Sequence, residues 1–154
     1  MLIVDPNLPA AAALARIVES KRNADHGFEV ALCSDFSTAR ARLRDAPPEL
    51  LITALRLREY NGLNLVYLAA SAGLAMRSIV YTDADDTGMA REIRAAGAFY
   101  EVRPRLPKVL PRYVAAAVAA ARLPPQDRRD VGVYDRRRSG RAGGRRAVDQ
   151  PLNV

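Results

Sequence analysis

Cysteine, histidine and tryptophan are almost missing from this 154-residue chain, which has one Cys (Cys33), one His (His26) and no Trp. A lone cysteine excludes a disulfide framework and a thiolate zinc site, and suits a reducing compartment. A lone histidine leaves almost no room for a histidine metal site. Lysine is scarce too: of 24 basic residues only Lys21 and Lys108 are not Arg. No apolar run approaches the roughly 20 residues that span a bilayer. The N-terminal MLIVDPNLP lacks the basic start and shape of a signal peptide, so a cytoplasmic protein is the expectation. What is present is apolar residues, at 49%, enough for a sizeable core and too many for a wholly disordered chain. The length fits one domain with a tail.

The net charge of +7 is unevenly placed. Residues 123–154 hold eight Arg and four Asp, a net +4, while residues 1–122 carry 16 basic and 13 acidic residues, a net +3. The terminal stretch has Pro124–Pro125 near its start, contains a Gly cluster and has few apolar residues and no periodicity. Such a composition cannot bury enough surface to offset its ordering entropy. The expected division is a folded domain over 1–122 and a flexible Arg/Gly-rich tail over 123–154.

Strand and helix signals alternate along the first 122 residues. Leu2–Asp5 is a short apolar run ending in an acid. Leu8, Ala11, Ala12, Ala15 and Val18 recur at helical spacing, a stripe continuing toward Lys21–Arg22. Phe28–Cys33 reads as a second strand, and Phe36, Ala39 and Leu43 as a second helix, capped by Ser34 or Asp35 and ended by Pro47–Pro48. Leu50–Ala54 is apolar enough for a strand buried on both faces. Leu63, Val66, Tyr67 and Ala70 give a third helix, closed near Gly73. Ser78–Thr82 follows as a strand, Met89, Ile93 and Ala96 as a helix closed by Gly97, and Ala98–Val102 as a fifth strand. Val109 to Ala121 give the last helix. Because Pro111 would break a bond inside it, the expected start is near Pro111, with Leu106–Leu110 as a looser lead-in. Five βα units predict a doubly wound, five-stranded parallel sheet of flavodoxin-like (βα)5 type, with a disordered basic C-terminal tail. Ligands of such sheets sit outside the carboxyl ends of the strands, which directs attention to Asp5, Ala54, Thr82 and Arg103.

These segments, LIVD, PPELLITALRLREYNGL, SIVYTD and AAGAFYEVRP in this order, resemble the receiver domain of two-component response regulators over about residues 1–121. The resemblance implies a phosphoacceptor Asp at the end of the third strand, eight residues before a loop glycine. Counting back from Gly62 gives Ala54, whose methyl group has no lone pair to attack phosphorus. Thr53 is a poor substitute, since neighbouring strand side chains face opposite ways. The family's acid pair after the first strand is here Asp5 followed by Pro6. Phosphoacceptor and acid pair together bind Mg²⁺ in the family, and one remaining carboxylate is too little for that cation. No cofactor is therefore expected, and Mg²⁺ binding should be lost or weak. The fourth-strand Ser/Thr matches Thr82, the fifth-strand aromatic Tyr100, and the fifth-strand Lys-Pro is Arg103–Pro104. The Pro common in the loop after the phosphoacceptor is Arg58 here. Arg103 has two readings: a fixed ion pair with Asp5, which is the expectation because such pairs are common at strand ends, or a seat for an anion from solution.

Other candidates have plainer explanations. Tyr100, without phosphorylation, is expected as a static surface or edge aromatic. Cys33 reads as a buried small hydrophobe, and His26 as an exposed turn residue. Asp83, Asp85 and Asp86 read as caps of the fourth helix. Arg40, Arg42 and Arg44 read as a solvated helix face. No nucleophile–base pair and no complete metal site is visible, so an enzyme is not expected. Two functions remain. One is an atypical single-domain response regulator, a pseudo-receiver that acts by contact with a signalling kinase or regulator, or as a homodimer through helix 4, strand 5 and helix 5. The other is a nucleic-acid-binding regulator whose tail residues Arg136, Arg137, Arg138, Arg141, Arg145 and Arg146 contact phosphates.

Overall fold

The structure, a computed structural model, describes residues 1–20 and 29–121. Its strands β1 (Leu2–Val4), β2 (Ala31–Cys33), β3 (Leu50–Ala54), β4 (Arg77–Thr82) and β5 (Phe99–Val102) form one sheet in the order β2-β1-β3-β4-β5. Every pairing in it is parallel. The helices are α1 (Leu8–Ser20), α2 (Phe36–Asp45), α3 (Leu63–Ser71), α4 (Thr87–Ala95) and α5 (Leu106–Ala121). This is the expected flavodoxin-like α/β fold. The first crossover runs one way along the sheet and the next three run the other way. Right-handed connections therefore put α1 on one face and α2, α3 and α4 on the opposite face. The packing agrees: α1 lies against α5, and α2 against α3.

The central strands are apolar because both of their faces are covered. Leu2, Ile3 and Val4 of β1 and all five residues of β3 are buried. Strand β2 is shorter than expected, starting at Ala31, while β4 begins one residue earlier, at Arg77, and β5 one later, at Phe99. Asp35 rather than Ser34 caps α2, accepting from the Thr38 amide at 2.8 Å. Asn7 caps α1 by accepting from the Ala10 amide at 3.1 Å.

Several helix faces differ from the expected stripes. Leu8 is exposed and Leu14 takes its place in the core with Ala11, Ala15 and Val18. In α3, Tyr67 and Ala70 face outward, and Leu65 and Ala69 are buried. Helix α5 begins at Leu106 and continues through Pro111, against the expected late start. The reason is burial: Leu106 and Leu110 are both at 0% exposure, one turn apart. Each such side chain contributes about 1.5–3 kcal/mol, enough together to offset the ~3 kcal/mol cost of an interior proline.

A two-stranded hairpin, Arg56–Leu57 with Tyr60–Asn61, follows β3 and was not expected. Its turn holds Arg58 at φ 58, in the left-handed region. A proline, fixed near φ −65°, cannot occupy this position in this backbone. Tyr60 stacks on Phe36 at 4.7 Å between ring centres, joining the hairpin to the start of α2.

Candidate functional site

The four residues singled out by strand-end position do gather at the carboxyl edge of the sheet. Asp5 lies one residue past β1, Ala54 and Thr82 end β3 and β4, and Arg103 lies one residue past β5. A cleft of about 360 Å³ opens there, lined by Ala54, Tyr81, Thr82, Asp83 and Arg103 among others. Asp5 sits behind it, 1% exposed.

Three donors hold the Asp5 carboxylate. The Asn7 amide donates to Oδ1 at 2.8 Å. Arg103 Nη1 and the Tyr81 phenol both donate to Oδ2, at 2.7 and 2.5 Å. Arg103 thus makes the expected ion pair with Asp5, and a second one that was not expected: its Nε donates to Asp83 Oδ1 at 2.6 Å. Its guanidinium also lies 5.0 Å from the centre of the Tyr81 ring, a cation–π contact. Burial alone would lower the Arg103 pKa, but the bonds to Asp83 and Asp5 outweigh it and hold the group charged, above the ordinary arginine value. Burial, and then the bond to Asp5, push the Tyr81 phenol well above its usual pKa.

Tyr81 escaped the sequence reading. It lies in the strand run SIVYT, where its neighbours are apolar or small, and nothing in such a run distinguishes a packing aromatic from one whose hydroxyl reaches a carboxylate 76 residues away.

Thr82 and Tyr100 form a second group. Thr82 Oγ1 donates to the Ala84 carbonyl at 2.6 Å and meets the Tyr100 hydroxyl at 3.0 Å. The same hydroxyl accepts from the Asp86 amide at 2.8 Å and lies 3.1 Å from Asp85 Oδ1. Tyr100 is 7% exposed, which corrects the expectation of a surface aromatic, although it does lie on the edge strand β5. Its hydroxyl finds polar partners in the β4–α4 loop, so the ring can be buried without stranding a polar group. The acidic loop residues also divide differently from expectation. Only Asp86 caps α4, through the Met89 amide at 3.0 Å, while Asp83 binds Arg103 and Asp85 binds Tyr100.

The remaining candidates fall as follows. Cys33 is buried, and burial raises its thiol pKa. Arg40, Arg42 and Arg44 are exposed. His26 and Arg136, Arg137, Arg138, Arg141, Arg145 and Arg146 lie outside the described residues.

The residues present do not fit the divalent cation that the receiver resemblance implies. Such an ion requires several oxygen ligands. Ala54 offers a methyl group, Pro6 offers no side-chain ligand, and both Asp5 oxygens already accept from protein donors. Among the described residues, no group of three or more His, Cys, Asp or Glu side chains is placed to hold a metal. No described helix is long and apolar enough to cross a membrane.

Comparison with known proteins gives the class of fold. No protein-family model matches the chain, and no curated protein matches it. Solved structures do. A CheY-like response regulator receiver domain protein from Methanospirillum hungatei superposes with a TM-score of 0.67 at 21% identity, over 77% of this chain and 92% of that one. A LuxR-family two-component response regulator from Aurantimonas gives 0.66 at 21%, over 77% and 84%. The receiver domain of NtrX from Brucella abortus gives 0.65 at 20%, over 77% and 97%. The chain therefore has the receiver fold. Identity this low speaks for the fold alone, and function has to be argued from the site.

Proposed function

We propose that this chain is a cytoplasmic pseudo-receiver: an atypical response-regulator module of a two-component-type pathway, acting by protein contact and without aspartyl phosphorylation. The observation that carries this reading is the cleft itself. The strand-end position that would need a nucleophile is Ala54, and the carboxylate behind it, Asp5, is bound on both oxygens. Phosphoryl transfer needs an attacking oxygen and compensation of the phosphoryl charge. Here the attacking oxygen is missing and Arg103 is already engaged by two carboxylates.

The proposed contact face is α4, β5 and α5, toward a signalling kinase, another regulator or a second copy. It presents Phe99, 40% exposed and packed at 4.9 Å against Tyr113, beside an Arg94 guanidinium 5.8 Å from the Tyr100 ring. Segment 123–154 is proposed to lie outside the domain of residues 1–122. Incubation with acetyl phosphate and Mg²⁺, followed by mass spectrometry of the 50–56 peptide, tests the reading. No labelling is expected, and stable incorporation there overturns it. Capture experiments repeated without residues 124–154 separate a contact made by the fold from one made by the Arg-rich segment.

A further inference from the structure

We propose that the Arg103 guanidinium is a tethered cation, standing in for the diffusible divalent ion in this cleft and fixing the β4–α4 loop in one conformation. The inference deepens the pseudo-receiver reading and rests on it for the choice of ion replaced, but not for the lock on the loop.

The loop is residues 83–86, and a side chain of β4, or of β5 and the residue after it, ties each of its four members. Arg103 binds the Asp83 carboxylate, Thr82 binds the Ala84 carbonyl, and Tyr100 binds both the Asp85 carboxylate and the Asp86 amide. Asp86 in turn caps α4, so the start of that helix is set by the same ties. Arg103 joins this loop to β1 through Asp5. It does so with two different nitrogens of one planar fork, which suits bridging two carboxylates in a set geometry. A divalent ion would make the same kind of bridge between carboxylates, but only while bound. Arg103 is covalently part of β5's extension, so the bridge needs no association step and does not vary with metal concentration. The stacking of Arg103 on Tyr81 holds the fork in place while Tyr81 itself binds the same Asp5 oxygen.

The test uses the full chain in five forms: unaltered, Arg103→Gln, Asp83→Asn, Ala54→Asp, and Ala54→Asp with Arg103→Gln. Mn²⁺ is the metal probe, read by paramagnetic broadening of backbone amide signals around residues 5, 54 and 83. The unaltered chain and Ala54→Asp should show no local broadening at millimolar Mn²⁺. The double variant should bind at least roughly tenfold more tightly than Ala54→Asp. Equal affinity of the two, or no binding by the double variant, overturns the tethered-cation assignment. The lock is read without metal, from hydrogen exchange of the Asp86 amide. Exchange of the Asp86 amide should rise at least roughly tenfold in Arg103→Gln, over and above the rise that the loss of overall stability produces in the β1 and β3 amides. Asp83→Asn keeps an acceptor oxygen but takes the charge out of the same tie, on an exposed side chain and without leaving a buried charge unpaired, and should act in the same direction. Exchange of the Asp86 amide that rises no more than that of the β1 and β3 amides in both variants overturns the lock. Acetyl-phosphate labelling of the unaltered chain would instead overturn the pseudo-receiver reading and leave the loop result standing.

Discussion

Tyr81 donates its phenolic proton to Oδ2 of Asp5 at 2.5 Å, linking the end of β4 to the end of β1. Both residues are about 1% exposed, so neither exchanges this bond for water. A hydrogen bond to a charged partner contributes about 1.5–3 kcal/mol. Tyr81→Phe keeps the ring and its contact with Arg103 and removes only the hydroxyl. It should therefore destabilise the fold by about that amount, measured from the urea midpoint at neutral pH. A change below about 0.5 kcal/mol, the range of ordinary surface substitutions, would show that Arg103 and Asn7 satisfy Asp5 unaided.

The same pair sets a limit on alkaline stability. The Tyr81 phenol is raised above its ordinary pKa in the fold, first by burial and then by Asp5. An unfolded tyrosine ionises near pH 10. Above that pH the unfolded chain releases a proton that the folded chain keeps, so stability is full below about pH 10 and falls as pH rises further. Tyr81→Phe should make that fall shallower. Tyrosinate absorbance should appear for Tyr81 only together with loss of the far-ultraviolet helix signal. Ionisation of all six tyrosines in the folded chain would contradict the burial of this hydroxyl.

The two ion pairs of Arg103 should differ sharply in their worth. Its Asp5 partner has a side chain 2% exposed, and its Asp83 partner one 76% exposed. Asp83→Ala removes an exposed pair and should cost no more than about 1 kcal/mol. Arg103→Met leaves a buried carboxylate with one charged partner fewer. Loss of a partner from a fully buried pair costs about 3–5 kcal/mol, and Arg103 is itself 36% exposed, so about 1–3 kcal/mol is expected. Chemical denaturation of the two variants decides this, and equal costs would mean that the Asp5 pair is screened as though it were on the surface.

Much of the fold was legible because the strands are short apolar runs and the helices carry capping and glycine signals. Asp35, Gly73 and Gly97 stand where local chemistry requires a cap or a positive φ. The Asp5–Arg103 pair was legible because both residues sit at strand ends on one edge of a parallel sheet. Tyr81, Asp83 and the burial of Tyr100 were not. Their partners are distant in sequence or depend on the path of the β4–α4 loop, and hydrophobic pattern carries no record of either. The exchange of Leu8 for Leu14 has a different cause. Both fit the α1 period within one turn, and only the docking angle of the helix selects between them. The hairpin after β3 was hidden because its turn uses Arg58 in place of the Gly or Asn that usually signals a positive φ.

Asp35 should account for part of the acid sensitivity. The Thr38 amide and then the Thr38 hydroxyl hydrogen-bond its carboxylate and lower its pKa. A carboxyl lowered on folding stabilises the folded state above its unfolded pKa, near 4, and loses that contribution as pH falls through the lower folded value. Asp35→Ala removes the cap and should cost about 1 kcal/mol at neutral pH, with the difference from the unaltered chain shrinking below pH 4. A difference that stays constant to low pH would assign the loss to something other than the ionised cap.

Gly62 anchors the count that places Ala54, and the structure gives a reason for glycine there. Its backbone is ordinary, at φ −59, so conformational freedom is not the reason. A Cβ on Gly62 would instead meet the Ala54 carbonyl oxygen at 2.1 Å and Thr53 Oγ1 at 2.6 Å. The Gly62 amide also donates to the Leu55 carbonyl at 2.7 Å, which holds the two segments at this separation. Gly62→Ala must therefore displace the end of β3, a strand buried at every residue, and overpacking of this kind costs about 1–3 kcal/mol. Gly88 is the control. It lies in α4, and its nearest neighbour to an added Cβ is Oδ1 of Asp86, the oxygen that caps this helix, at 3.3 Å, so the cap would have to give by a few tenths of an ångström. Alanine favours a helix over glycine by up to about 1 kcal/mol, which offsets a small shift of the cap, so Gly88→Ala should cost clearly less than Gly62→Ala. Urea midpoints of the two variants should move in opposite directions or by clearly different amounts. If Gly62→Ala matches the unaltered chain, the end of β3 yields easily, and the close approach of backbone to backbone cannot be what fixes the floor of the cleft.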